Sequence, residues 1–183
     1  YGTPAPPPAY GAPPPAYGAP QGYGAPPPMN PYAAAPQGNY AEWPERGARL
    51  GRDGSNMTAR LGAVAALICS RSALADAALA QFHALFRNEP DVIDKWFSLQ
   101  AGMPEHEGSV LQRVRELLRH PDFSLRNPNR VRSLIGRFCN ANRAAFHRAD
   151  GAGYAFWADR VIELDAVNPQ LASRIARAMD RWS

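Results

Sequence analysis

Lysine is almost missing from this chain of 183 residues: Lys95 is the only one, and arginine supplies the remaining basic side chains. The formal net charge is a mild +4, and beyond residue 41 the arginines alternate with Asp and Glu. A nucleic-acid binder gathers its positive charge on one face or stripe, so no nucleic-acid partner is expected. Cysteine is scarce as well. Cys69 and Cys139 lie far apart inside apolar runs, a pattern of buried thiols and not of a disulfide framework or a zinc clip. That usage points to a reducing, cytoplasmic compartment.

Long apolar runs are also missing. "LGAVAALICS" is about half the length of the roughly 20 residues that a bilayer span requires, and the N-terminus shows no basic segment followed by an apolar one, as a secretory signal would. No membrane partner is expected. The chain does not begin with Met, so its natural start is expected upstream. Nowhere does strict alternation of apolar and polar residues run for the length of a strand, which excludes a β-sheet protein.

Charge of either sign is absent from residues 1–41, which repeat a loose unit: "YGTPAPPPA", "YGAPPPA", "YGAPQG", "YGAPPPMNP", "YAAAPQGN". Tyr1, Tyr10, Tyr17, Tyr23 and Tyr32 open the units at varying spacing, so this is no stacked structural repeat. Proline removes amide donors and glycine costs entropy to order. The segment reads as a disordered tail with polyproline character: a spacer, or a ligand for grooves that bind proline-rich peptides. Residues 42–54, "EWPERGARLGRDG", bring the first charges, end in a glycine turn, and read as the linker to a domain over 55–183.

From Ser55 the chain reads as helices in series. Asn56 is placed to cap "MTARLGAVAALICS", and Ser72 to cap "ALADAALAQFHALFR". Pro90 heads "DVIDKWFSLQA", whose apolar face includes Trp96 and Phe97, expected to fill a seam between helices. In "SVLQRVRELLRH", Val110, Leu111, Val114, Leu117 and Leu118 recur at helical spacing. In "RNPNRVRSLIGRF", Asn127 is an N-cap and Pro128 occupies the first helical turn. Val131, Leu134, Ile135 and Phe138 then share one face, with Arg130 and Arg137 away from it. "NRAAFHRAD" is a turn or short helix leading to "GYAFWADRVIELDAV", after which Asn168 and Pro169 repeat the Asn-Pro start for "QLASRIARAMDRW". The expected class is all-α: an αα-superhelix, HEAT- or armadillo-like, of short antiparallel amphipathic helices.

Catalytic patterns are wanting. "HEGSV" at His106 lacks the second histidine of an H-E-x-x-H zinc helix. No other histidine has Cys or His at i+3 or i+4, so His83, His120 and His147 read as ordinary side chains. No serine stands in a nucleophile elbow, and no glycine-rich loop carries the lysine of a phosphate cradle. Glu163 and Asp165 point to different sides of their helix. No catalytic residue and no metal ligand is expected in this chain.

At "NMTARLGAVAAL", "DKWFSLQA", "NPNRVRSLIGRF", "AAFHRADGAGYAF" and "NPQLASRIA", in that order, the chain resembles the C-terminal helical domain of aminopeptidase N, a family of bacterial zinc-dependent alanyl aminopeptidases. The resemblance covers residues 55–183 and leaves out the tail. In that family a catalytic domain binds zinc through two histidines and a glutamate and grips the substrate's amino terminus with a G-A-M-E-N-like segment. Neither is present here. The resemblance implies a non-catalytic capping domain that encloses a substrate chamber, ending short of the family's last helices. The zinc would lie in a catalytic domain that is this chain's partner, and peptide substrates would be met only through the assembled enzyme. It also implies that Arg132 and Arg174 face that chamber, where a guanidinium would hold a peptide's carboxylate or carbonyls. The alternative for Arg132 is a structural salt bridge with Glu163 or Asp165. The alternative for the whole chain is an independent helical-repeat adaptor with a partner-binding tail.

Overall fold

The structure is a computed structural model that describes residues 42–181; the expectation of a disordered tail over 1–41 lies outside the described residues. Helices follow one another as α1 (Trp43–Asp53), α2 (Met57–Cys69), α3 (Ala75–Phe86), α4 (Pro90–Ala101) and α5 (Ser109–Leu117). A longer helical segment comes next: α6 (Pro128–Val131) runs into a π-helical turn (Arg132–Gly136) and then α7 (Arg137–Ala141). The last elements are α8 (Arg143–Phe146), α9 (Ala152–Asp165), α10 (Pro169–Ala176) and a 3-10 turn (Met179–Arg181). The described residues contain no strand. The architecture is an all-α superhelix of short helices, most of them packed on a neighbour in sequence.

Residues 42–54, expected as a linker, instead hold α1, which packs on α2 and α3. Composition hid this helix, because its glycines lower helix propensity yet admit close packing. A Cβ on Gly47 would stand 3.3 Å from the Leu67 side chain.

Asparagine starts most of the capped helices. Asn56 Oδ1 accepts the Ala59 amide (2.8 Å) and Asn142 Oδ1 that of Ala145 (3.2 Å). Asn127 Oδ1 accepts the amides of Asn129 (3.0 Å) and Arg130 (3.3 Å), and Asn168 Oδ1 accepts that of Leu171 (3.0 Å). Pro128 and Pro169 follow Asn127 and Asn168 immediately, and Pro90 follows Glu89 at the start of α4, positions where a missing N–H costs nothing. The expectation for Ser72 is corrected. Its Oγ accepts the Leu74 amide (3.2 Å) inside a turn, and α3 begins only at Ala75, with no side-chain cap. Asn127→Ala and Asn168→Ala are each expected to lower stability by about 1 kcal/mol, with the larger loss at Asn127, which takes two amides. Urea midpoints measure this, and wild-type midpoints in both variants would refute it.

The core is organised around α4, which touches α3, α5, α6, the π turn and α7. Val92, Ile93, Trp96, Phe97 and Ala101 are buried, and the Trp96 indole N–H donates to the Leu79 carbonyl of α3 (3.0 Å). Phe97 has no exposed surface and meets the Trp96 ring edge-on, centroids 5.1 Å apart. Val131, Leu134, Ile135 and Phe138 are all at 0% exposure. Asn142 is buried and satisfied: its Nδ2 donates to the carbonyls of Ala101 (3.0 Å) and Met103 (2.9 Å), closing the end of α4. Cys139 is buried and its thiol is pushed up to about 12 by loss of solvent. Cys69 corrects the reading of two buried thiols, because it ends α2 on an exposed position.

Candidate functional site

Arg132 sits on the first residue of the π turn, Arg137 begins α7, and Arg174 lies on α10. Arg132 and Arg137 are five residues apart. On a regular α-helix that separation turns side chains roughly 140° from one another. Here the Arg137 amide donates to the Arg132 carbonyl, an i+5 bond that widens the turn. The two guanidinium-bearing residues thereby line the same open groove.

That groove, of about 660 Å³, runs between the end of α4, the π turn, α7 and α10. Arg174 and Asn140 complete its polar lining; Leu171 and Ile175 supply apolar wall. Ser98 Oγ donates to the Ser133 carbonyl (3.1 Å), fastening α4 to the π turn, and Asn140 Nδ2 donates to the Gly136 carbonyl (2.9 Å). The Arg137 side chain lies across Gly102, where a Cβ would stand 2.7 Å from its Nε. Arg132 is held by a bond from its NH1 to Asn129 Oδ1 (2.9 Å).

No carboxylate is among the residues that line the groove, and none of the described residues forms an ion pair with Arg132, Arg137 or Arg174. The salt bridge that was the alternative for Arg132 is absent there: Glu163 pairs with Arg160 (2.8 Å) on its own helix. Three exposed arginines that form no ion pair, beside an amide and an apolar wall, present donors of the kind that carboxylates and peptide carbonyls accept. The structure therefore brings Arg132 and Arg174 to one groove. It adds Arg137 and Asn140, which the sequence reading passed over, because a regular helical period puts Arg132 and Arg137 on different sides.

The other residues singled out from the sequence have structural places. Trp96 and Phe97 are core; Asn127, Pro128, Asn168 and Pro169 stand at helix starts. Arg130, read as pointing away from the apolar face, is buried at 7% exposure and ion-paired to Asp94.

A second polar cluster joins residues that look unrelated in sequence. His83 from α3 meets His120 and Asp122 from the loop after α5, with ligand-capable atoms all within 4.8 Å of one another. Burial lowers the pKa of His120; Asp122 opposes this, and His83 and Arg130 reinforce it. At the far end of α8, Arg148 donates to Asp150 and holds its carboxyl down at about 2.

The family described as "Domain of unknown function (DUF3458_C) ARM repeats" matches residues 33–183. Aminopeptidase N of Caulobacter vibrioides is 42% identical over 127 residues, covering 69% of this chain and 14% of that protein. The Escherichia coli aminopeptidase N is 41% identical over 129 residues, 70% of this chain and 15% of the relative. Among solved structures, Legionella pneumophila aminopeptidase A in complex with aspartic acid is similar at a TM-score of 0.70 and 36% identity, over 76% of this chain and 16% of that one. The chain thus spans about one-seventh of the length of these curated relatives.

Proposed function

Because the chain belongs to the DUF3458_C ARM-repeat family and resembles the C-terminal helical domain of aminopeptidase N, we propose that it is the non-catalytic capping domain of a zinc-dependent alanyl aminopeptidase. In this reading the domain starts at Trp43, works in the cytoplasm and docks on a catalytic domain that holds the zinc. Its concave side walls the chamber through which peptides reach the metal. The described residues contain no helix long and apolar enough to cross a membrane.

The observation that carries the proposal is the arginine groove without counter-charge. A peptide held by its amino terminus in a catalytic site still presents carbonyl oxygens and a carboxylate farther along. Arg132, Arg137 and Arg174 offer forked, permanently charged donors to such oxygens. Asn140 adds an amide for the main chain. The groove contributes binding and alignment, with the zinc, the general base and the attack on the scissile carbonyl all assigned to the catalytic domain.

The test is hydrolysis of an alanyl fluorogenic amide with added zinc, by the purified chain, by an aminopeptidase N catalytic fragment without its C-terminal domain, and by the two mixed. Activity that rises only in the mixture supports capping. Activity of this chain alone refutes the non-catalytic assignment, and no gain in the mixture moves the chain to the adaptor reading. In the active mixture, Arg132→Ala with Arg174→Ala is expected to lower kcat/KM about tenfold or more for alanyl peptides with a free carboxylate. That factor corresponds to about 1.4 kcal/mol, within reach of one charged hydrogen bond. Hydrolysis of the amide, which has no carboxylate, should change little.

A further inference from the structure

We propose that His83, His120 and Asp122 form a binding site for a divalent transition-metal ion of the zinc class, bracing the loop between α5 and α6 against α3. This site is separate from the arginine groove and does not depend on the capping role.

The donor set and its spacing are the starting point. His83 Nε2 lies 2.6 Å from Asp122 Oδ2, and His120 Nδ1 lies 3.8 Å from the same oxygen. Zinc bonds of 2.0–2.1 Å at tetrahedral angles put ligand atoms roughly 3.3 Å apart, between those two distances. Closing the difference takes small movements of His120 and Asp122, both of which sit on a loop. His120 Nδ1 accepts the Asp122 amide at 3.2 Å, so its one lone pair is free of a proton and an ion binding there takes the place of that amide bond. Two imidazoles with one carboxylate favour zinc, cobalt, nickel or copper over magnesium or calcium.

Neighbouring rings hold the imidazoles in place. His83 packs on Trp96 at 4.8 Å between centroids, and His120 packs on Trp96 at 5.2 Å and on Phe97 at 5.8 Å. The His83 and His120 rings meet edge-on, centroids 5.0 Å apart. The side chains keep 23%, 26% and 37% of their surface for His83, His120 and Asp122. His83 and His120 border a groove of about 440 Å³ whose lining also includes Asp76, Glu116 and Arg113. An ion has an entry path and room for a water as fourth ligand. Arg113 pairs with Asp76 and Arg130 with Asp94, so the nearby cations are already neutralised.

The consequence of occupancy is mechanical. The Asp122 carbonyl accepts the Nε–H of Arg130 at 3.0 Å, so the loop that would carry two ligands also anchors the first turn of α6. An ion would tie α3 to that anchor through bonds stronger than the single His83–Asp122 contact.

The experiment uses the untagged chain, stripped with a chelator, and Co²⁺ as the probe. The expected result is one equivalent of Co²⁺ bound with visible d–d bands, displaced by Zn²⁺, and a melting temperature that rises with Zn²⁺. Asp122→Asn and His83→Gln should each weaken Co²⁺ binding at least tenfold, while His106→Gln, outside the cluster, leaves it unchanged. Asp122→Asn retains the main-chain bond to Arg130, so it remains informative should His83→Gln lose its native circular dichroism. Absence of bands, or affinity unchanged in Asp122→Asn, would overturn the site.

Discussion

Arg130→Met is expected to cost about 3–5 kcal/mol of folding stability. The side chain is 7% exposed and its partner Asp94 keeps 14% of its side-chain surface. The guanidinium also donates from NH1 to the Pro90 carbonyl (2.9 Å) and from Nε to the Asp122 carbonyl (3.0 Å), and lies 5.5 Å from the centroid of the Phe97 ring. One planar group thus links the start of α4, the loop after α5 and the start of α6. Methionine fills the volume but leaves the Asp94 carboxylate charged with little access to water, and two part-buried carbonyls unanswered. Arg130→Lys keeps the charge without the fork and should fall between wild type and Met. Adding Asp94→Leu to Arg130→Met should return part of the loss, because the stranded charge goes while the carbonyls stay bare. Urea titrations of the four proteins decide it. A Met variant within about 1 kcal/mol of wild type would show that the buried pair contributes little.

Gly153→Ala is expected to destabilise by about 3 kcal/mol, at the upper end of ordinary overpacking. A Cβ at that position would stand 2.1 Å from the carbonyl oxygen of Phe146 and 2.8 Å from its carbonyl carbon. Those atoms are backbone, so no rotamer change relieves the contact, and α9 must move away from α8. The aromatic group at this junction would move with it: Phe146 meets Phe138 at 6.1 Å and Tyr154 at 5.4 Å between centroids. Gly62→Ala is the matched control, since its Cβ would meet nothing within 4 Å on an exposed helical position. It should stabilise by about 1 kcal/mol through helix propensity alone. Opposite signs in one thermal or urea series would confirm the packing argument. A neutral Gly153→Ala would mean that α8 and α9 slide apart without cost.

The two glycines of "DGAGYAF" show where sequence reading stops. In the sequence both stand beside the start of one helical stretch. In the structure Gly151 takes φ +70° with open space around it, whereas Gly153 has an ordinary backbone and is pressed against a carbonyl. The first is a conformational requirement and the second a packing requirement, and a composition-based reading cannot tell them apart. Residues 42–54 carry the same lesson: glycine suggested a linker, where it allows α1 to settle on Leu67.

Helix starts at Asn56, Asn127 and Asn168, the apolar faces of α4 and α5, and the all-α class were legible along the chain. Capping needs only an oxygen and the next two or three amides, and amphipathic periodicity needs only a few turns. The resemblance to the C-terminal helical domain of aminopeptidase N also lay in the linear order of motifs. Tertiary structure alone decided which charges are buried and which converge. Arg130 and Arg132 are two residues apart, yet one is sealed against Asp94 and the other opens to a groove. The π turn sets Arg137 beside Arg132 by breaking the period on which the reading relied. His83 and His120 meet across 37 residues because α3 and α5 flank α4. Each of these pairings depends on how one helix is seated against another, which no local spacing rule contains.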